Sequence, residues 1–355
     1  MKRKLLSLIL TATLLGSVLA GCAGSNTGSD ATNKTQANEE ATNEEATNEE
    51  ASYDVELKTL HIAYVGSGVN WPNDLLGIAM DKGYLDEELA AVGWKAESTS
   101  FQGGNLVNEA LTSGDADFGI YGDVPATNGK GKGVNTTLIM LEVHNNDAAL
   151  VTGTSSDIKT IKELKGKTVA TLEGSFMHKV LVNMLEDNGM TIDDIQFTNM
   201  QSVDAATAVQ TGAVDAALLS EVQYCVAATQ GEINVILSGS DNNEWRGSSA
   251  IVANSDFLAN NRDAAVAFLR AYVRADEFAR GNYDDAITSL SKAGLEEESL
   301  KFRFPTAVEF NLDAGDEAKE ALQSVVDFLR NTGISKQDVD INSWIDSSVL
   351  EDARK

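Results

Sequence analysis

Cysteine is nearly absent from this chain: Cys22 and Cys225 are the only two among 355 residues, too few for a disulfide-stapled scaffold. Histidine is almost as scarce, at His61, His144 and His178, and their spacing gathers no metal ion. No Gly-x-Ser-x-Gly elbow occurs. The run Gly129-Lys130-Gly131-Lys132-Gly133 lacks the Gly-x-x-x-x-Gly-Lys-Ser/Thr order of a phosphate loop and reads as a hydrophilic loop. Positive charge is also short, since 27 Lys and Arg stand against 54 Asp and Glu for a net charge of −27. No basic face is left for nucleic acid. Aromatics are 6% of residues, so no aromatic patch marks a receptor or adhesin. No catalytic residue, metal or cofactor is expected.

The apolar run from Leu5 to Leu19, preceded by Lys2, Arg3 and Lys4, is too short for a bilayer span and fits a secretion signal. It closes on Leu19-Ala20-Gly21-Cys22, which resembles the lipobox of bacterial lipoproteins. That resemblance implies a signal peptide over 1–21 and lipidation of Cys22. Acyl chains bind at roughly 0.8 kcal/mol per buried methylene, so two or more hold a protein on a membrane surface. Cys225, between Tyr224 and Val226, is then unpaired and reads as a small buried apolar residue. Residues 22–56 are poor in apolar side chains and carry a tandem Ala-Thr-Asn-Glu-Glu at 41–50. Such a composition cannot offset ordering entropy, and it reads as a disordered acidic tether.

The remaining roughly 300 residues suit two lobes rather than one simple core. A repeat supports this: Ala110-Leu-Thr-Ser-Gly-Asp-Ala-Asp-Phe-Gly-Ile120 is echoed 98 positions later by Ala208-Val-Gln-Thr-Gly-Ala-Val-Asp-Ala-Ala-Leu218. Each copy reads as an amphipathic helix, a glycine suited to a left-handed C-cap, an aspartate, and a short strand. Strands are expected over 60–65, 95–101, 118–121, 137–143, 168–171, 195–198, 216–219 and 235–237, with helices between most of them, the rhythm of parallel sheets. From Asp256 the chain reads as helical without strands. Ala265, Phe268, Leu269, Tyr272 and Val273 form one apolar stripe, and Ala321, Leu322, Val325, Val326 and Leu329 another.

Three loops each follow an expected strand and open a helix, so unpaired N–H groups and a positive dipole end face the strand tips. They are Gly66–Asn70, Tyr121–Pro125 and Glu173–His178. Asp123 and Pro125 suit helix initiation, which leaves Gly122 and the amides after it as the better ligand contacts. Ser175 can cap its helix and still offer a hydroxyl. His178 is placed either to cap backwards or to line a cleft.

The segments Asp117-Phe-Gly-Ile-Tyr-Gly-Asp-Val-Pro-Ala126, Ile161-Lys-Glu-Leu-Lys-Gly-Lys-Thr-Val-Ala170 and Gly174-Ser175 with His178 resemble the substrate-binding proteins of ABC importers for aliphatic sulfonates, taurine and nitrate. The resemblance runs from Leu60 to about Ala253. It implies an α/β, two-lobed, periplasmic-binding-protein-like type II fold, each lobe a mainly parallel sheet flanked by helices. Carried over, lobe one is 57–143 plus 255–355, lobe two is 146–247, and the crossovers lie near 144–150 and 248–254. Family members usually follow the second repeat with an aromatic-acid-proline-aromatic stretch, where this chain has Ser220-Glu-Val-Gln-Tyr224. A stacking wall is lost and a longer acid gained.

The ligand contacts expected are Ser67, Gly68 and Asn70, Gly104 and Asn105, Gly122 and Asp123, Gly174 and Ser175, and Ser220 and Glu221. Arg246 is the nearest basic candidate for an anion, and Glu142 and Glu221 point toward an amino-bearing one. The expected function is delivery of a small organic anion or zwitterion to an ABC permease and its cytoplasmic ATPase, by a monomer anchored through lipid on the outer side of the membrane. The alternative is a secreted two-lobed enzyme, or a binder of a thiamine-precursor-like pyrimidine. Thiamine-precursor synthases of similar fold depend on a cysteine-rich or metal-binding site, which this chain does not supply.

Overall fold

The computed structural model describes residues 56–66 and 70–355. The expected signal, Cys22, most of the tether, and Ser67 and Gly68 lie outside the described residues. Strand β1 (Lys58–Val65) leads into α1 (Leu75–Asp81) and α2 (Tyr84–Ala90), β2 (Trp94–Phe101) into α3 (Gly104–Ser113), and β3 (Phe118–Gly122) into α4 (Asp123–Gly131). Then β4 (Thr136–Asn146) passes almost directly into β5 (Ala148–Gly153). Strand β6 (Thr168–Thr171) is followed by α5 (Phe176–Asp187), β7 (Gln196–Asn199) by α6 (Ser202–Gln210), and β8 (Ala216–Ser220) by α7 (Glu221–Thr229). Next come β9 (Ile233–Ser238) and β10 (Gly247–Asn254). The remainder is α8 (Ser255–Asn260), α9 (Arg262–Gly281), α10 (Tyr283–Ser291), α11 (Glu297–Arg303), β11 (Leu312–Asp313), α12 (Asp316–Asn331), α13 (Ile341–Trp344) and α14 (Ser347–Ala353).

Two sheets result, ordered β11-β4-β10-β3-β1-β2 and β7-β6-β8-β5-β9. Most strands of each sheet point the same way. The reversed ones are β10 and β11 in the first sheet and β5 in the second. The chain leaves the second sheet at Ser238 and rejoins the first at Gly247. The return passage therefore runs through 239–246, and residues 248–254 lie within β10 rather than in a crossover.

The repeat has a structural reason. Gly114 and Gly212 take left-handed φ of 84° and 74°, conformations that glycine adopts at little cost. The Asp117 carboxylate accepts the N–H of His61 on the parallel neighbour β1 at 2.8 Å, and that of Asp215 accepts the N–H of Thr168 on β6 at 2.8 Å. Each aspartate satisfies the donor just before its parallel pair begins, at Ile62 with Phe118 and at Val169 with Ala216. The C-terminal stripes pack as expected: Phe268, Leu269 and Tyr272 on one core of the first sheet, Ala321, Leu322 and Val326 on another. The tail does contribute one strand, contrary to expectation, because β11 pairs with β4 at Leu312 and Asp313. Two residues are too few to show a period.

Candidate functional site

A cleft of about 550 Å³ is lined from both sheets, at the ends where strands give way to helices. Gly103, Gly104, Tyr121 and Gly122 line it from the first sheet, and Leu172, Ser175, Phe176, Ser202, Ser220 and Glu221 from the second. The N-termini of α3, α4, α5, α6 and α7 thus meet around one space. At α3, α4, α6 and α7 the residue before the helix makes no side-chain capping bond; Val124 N of α4 is taken by Asp123 Oδ1 and Glu221 N of α7 by Asp147 O, and other first-turn N–H groups remain for a ligand. Their summed dipoles favour negative charge. At α5 the Ser175 hydroxyl accepts from His178 N and donates to Leu172 O, at 3.3 and 2.7 Å.

Of the expected contacts, Gly104, Gly122, Ser175, Ser220 and Glu221 line this cleft, while Asn70, Asn105, Asp123 and Gly174 are not among its lining residues. Asn70 accepts a long bond from Tyr64 Oη. Asp123 is buried at the first position of α4, where Gly122 and not Asp123 is the N-cap, and its carboxylate accepts from Val124 N and Ser248 N at 2.7 and 3.0 Å. His178 caps backwards: its Nδ1 accepts from Gly174 N at 3.4 Å, and its ring lies between Phe197 and Phe328.

The basic candidate named from the sequence, Arg246, is not among the residues that line this cleft. Arg246 donates from Nε to Gly239 O at 3.1 Å and lines a separate cavity with His144, Asn145, Glu244 and Glu317. Among the described residues that line the cleft, the cation is Arg303, at the end of α11. Its side chain is 7% exposed and its Nε lies 2.8 Å from Glu221 Oε2. The Nε–H is not aimed at that oxygen, so the contact is a charge pair rather than a hydrogen bond. Nη1 donates to Asn73 O at 3.0 Å, and the guanidinium carbon stands 4.5 Å from the Phe304 ring. Residues 221 and 303 are far apart in sequence and on elements with no shared motif, so no local signal marks the pair.

Acids dominate the rest of the floor. Glu142 is 1% exposed and its Oε1 has no hydrogen-bond partner among the described residues. Burial first, then the charge of Asp74, push its carboxyl well above the usual range, with Arg303 opposing. Asp74 caps α1 by accepting Leu76 N at 3.0 Å, and burial raises it too. Glu221 is raised by burial, against the pull of Arg303. Carboxyls taken from water favour the neutral form unless paired. Phe176, Met177, Val203, Val222 and Phe310 supply apolar wall. Among the described residues no group of His, Cys, Asp or Glu is placed to hold a metal.

Two sheets of βα units joined by short passages, with helix N-termini turned onto a shared cleft, define the class of periplasmic-binding-protein-like folds. The family model described as NMT1/THI5 like matches residues 76–286, and the chain belongs to that family. It is 28% identical over 225 residues to a putative aliphatic sulfonates-binding protein of Escherichia coli K12, covering 63% of this chain and 70% of that one. It is 23% identical over 278 residues to a putative aliphatic sulfonates-binding protein of Bacillus subtilis 168, covering 78% and 83%. The crystal structure of the periplasmic aliphatic sulphonate binding protein of E. coli aligns with a TM-score of 0.70 at 25% identity over 81% of this chain and 92% of that one. A putative periplasmic sulfonate-binding protein from Methylobacillus flagellatus KT aligns with 0.73 at 23% identity over 84% and 94%.

Proposed function

We propose that this chain is an extracytoplasmic solute-binding lipoprotein that captures a small organic anion or zwitterion of the sulfonate class and delivers it to an ABC importer. The observation that carries the reading is the convergence of five helix N-termini, from two sheets, on one cleft that also holds a buried arginine. Amide N–H groups and a guanidinium are the donors a tetrahedral or planar oxyanion needs. The matched relatives named as sulfonates-binding proteins support the ligand class.

The two sheets with their helices act as lobes, 57–143 plus 255–355 against 146–247, which close when a ligand bridges them. Differential contacts stabilise the closed form, and the permease recognises it. The ligand contacts are Gly104, Gly122, Ser175, Ser220 and Arg303, several through backbone alone. Lipid on Cys22 and the acidic tether hold the domain at the membrane surface, and the protein acts as a monomer.

The test is a thermal-shift panel on the purified protein with alkanesulfonates, taurine, nitrate, pyrimidines and amino acids. A true ligand at 100 times its dissociation constant adds about 2.7 kcal/mol to stability. A raised melting temperature with a sulfonate supports the reading. Turnover of a sulfonate, or a response confined to pyrimidines, overturns it in favour of the enzyme or thiamine-precursor alternative.

A further inference from the structure

Glu142 makes the floor of this cleft chemically lopsided. It sits on β4, the strand next to the edge of the first sheet, its backbone in register with Ser249 on β10 and Leu312 on β11, so its position is set from both sides. Its side chain lines the cleft and is 1% exposed, with Oε1 unpartnered. A buried acceptor left unmatched is costly, and native proteins rarely keep one without use. The charged and titratable groups around it offer no relief. Asp74 at the start of α1 and Asp276 on α9 both repel a negative charge there, and Arg303 on α11 attracts it from a distance. That arginine is already engaged by Glu221 and Asn73 O. Asp276 is held by Arg280 Nε and Phe310 N. The hydroxyl of Tyr272 on α9, raised by burial first and then by Asp74 and Glu142, is fully buried and unpartnered among the described residues.

A ligand that brought only negative charge to this end would add to the repulsion. One that brought a cationic N–H donor would satisfy the orphaned oxygen and balance the excess of acids. We infer that Glu142 is a specificity residue for an amino group, so that the ligand is a zwitterion whose anionic end meets the helix N-termini and Arg303 while its ammonium donates to Glu142 Oε1. This rests on the sulfonate-class reading given above. It also moves the amine contact away from Glu221, which the arginine occupies. The chemistry is a reversible hydrogen bond in which the ammonium N–H donates to Oε1, and the proton that burial favours on the free carboxyl leaves to solvent as the ammonium arrives.

The test uses isothermal titration with 2-aminoethanesulfonate, 2-hydroxyethanesulfonate and ethanesulfonate, which share a head and a two-carbon body and differ in one group. The wild type is expected to bind the amine about tenfold or more tighter than ethanesulfonate, as a charge-assisted bond in a dry site allows. Titrations in two buffers of different ionisation enthalpy should show proton release with the amine alone. Glu142→Gln should erase both the preference and the proton release, weakening the amine about tenfold more than it weakens ethanesulfonate. If the sulfonates bind without preference for the amine, or if E142Q weakens all three alike, this inference is overturned and the solute-binding reading stands. If none of the three binds, the sulfonate-class reading itself fails. Should E142Q not fold, the wild-type preference and proton count decide alone.

Discussion

Replacing Arg303 by methionine keeps most of the stem's packing and strips the charge from a contact that is 7% and 13% exposed on its two sides. Breaking one partner of a buried pair costs about 3 to 5 kcal/mol, because the other charge is left unmatched. The Nε–H is not aligned with the Glu221 oxygen, so the lower figure applies, about 3 kcal/mol. At roughly 2 °C per kcal/mol for a chain this long, R303M should melt about 6 °C below the wild type at pH 8. The deficit must depend on pH. Glu221 is already raised by burial, with Arg303 pulling it down, and losing the guanidinium raises it further. A carboxyl whose folded pKa lies above its unfolded one, near 4.3, is destabilising where the unfolded acid ionises and the folded one cannot. The penalty is therefore largest at alkaline pH and shrinks as pH falls toward the unfolded value. Calorimetry of R303M, E221Q and R303M/E221Q at pH 5 and pH 8 tests this. The double variant should recover most of the loss at pH 8, since it removes the orphaned acid. A single variant within 1 °C of wild type at pH 8, or a deficit that grows toward pH 5, would refute the reasoning.

At Gly122 the backbone φ of −56° suits any residue, and an added Cβ would meet Pro125 and Phe176 only at 3.7 and 3.8 Å. Gly122→Val should keep its melting temperature within about 2 °C but weaken the ligand at least about tenfold in titration, by filling the space beside the α4 amides. Gly104→Val should instead lose about 1 to 3 kcal/mol of stability, since its Cβ would lie 2.5 Å from Pro125 Cγ. His178 is depressed by burial, with Glu173 opposing. The wild type therefore loses stability as pH falls below about 6.5, the unfolded histidine value, through the folded one. His178→Phe, packed between Phe197 and Phe328, should flatten that slope in urea titrations at pH 5 and 7, and an unchanged slope would assign the acid loss to other groups.

How much of this was legible depends on the range over which each signal acts. The glycines at 114 and 212 and the aspartates at 117 and 215 announce their turns within a dozen residues, because backbone conformation and strand-end hydrogen bonds are local demands. The same holds for the stripe Phe268, Leu269 and Tyr272 on α9, where a period of 3.6 marks the buried face. Strand β5 was harder: Ala148 to Gly153 is buried at every position, so it lacks the alternation that marks a half-exposed strand. Strand β10 escaped similarly, with only Ser249 and Asn254 less buried. In the cleft, Gly122, Ser175 and Ser220 could be placed because they open helices after strands.

The amino-acid order by itself determined the βα rhythm, the paired turns and the helix starts, since those follow from periodicity and from residues a few positions apart. Only the tertiary structure decided that Asp74, Glu142, Glu221 and Arg303 share one floor, that Arg246 lies elsewhere, and that Asp123 is committed to its own helix and to Ser248. The reason is physical: the energy of a buried charge depends on which groups fold around it and exclude water, and those groups come from four elements that no local pattern connects.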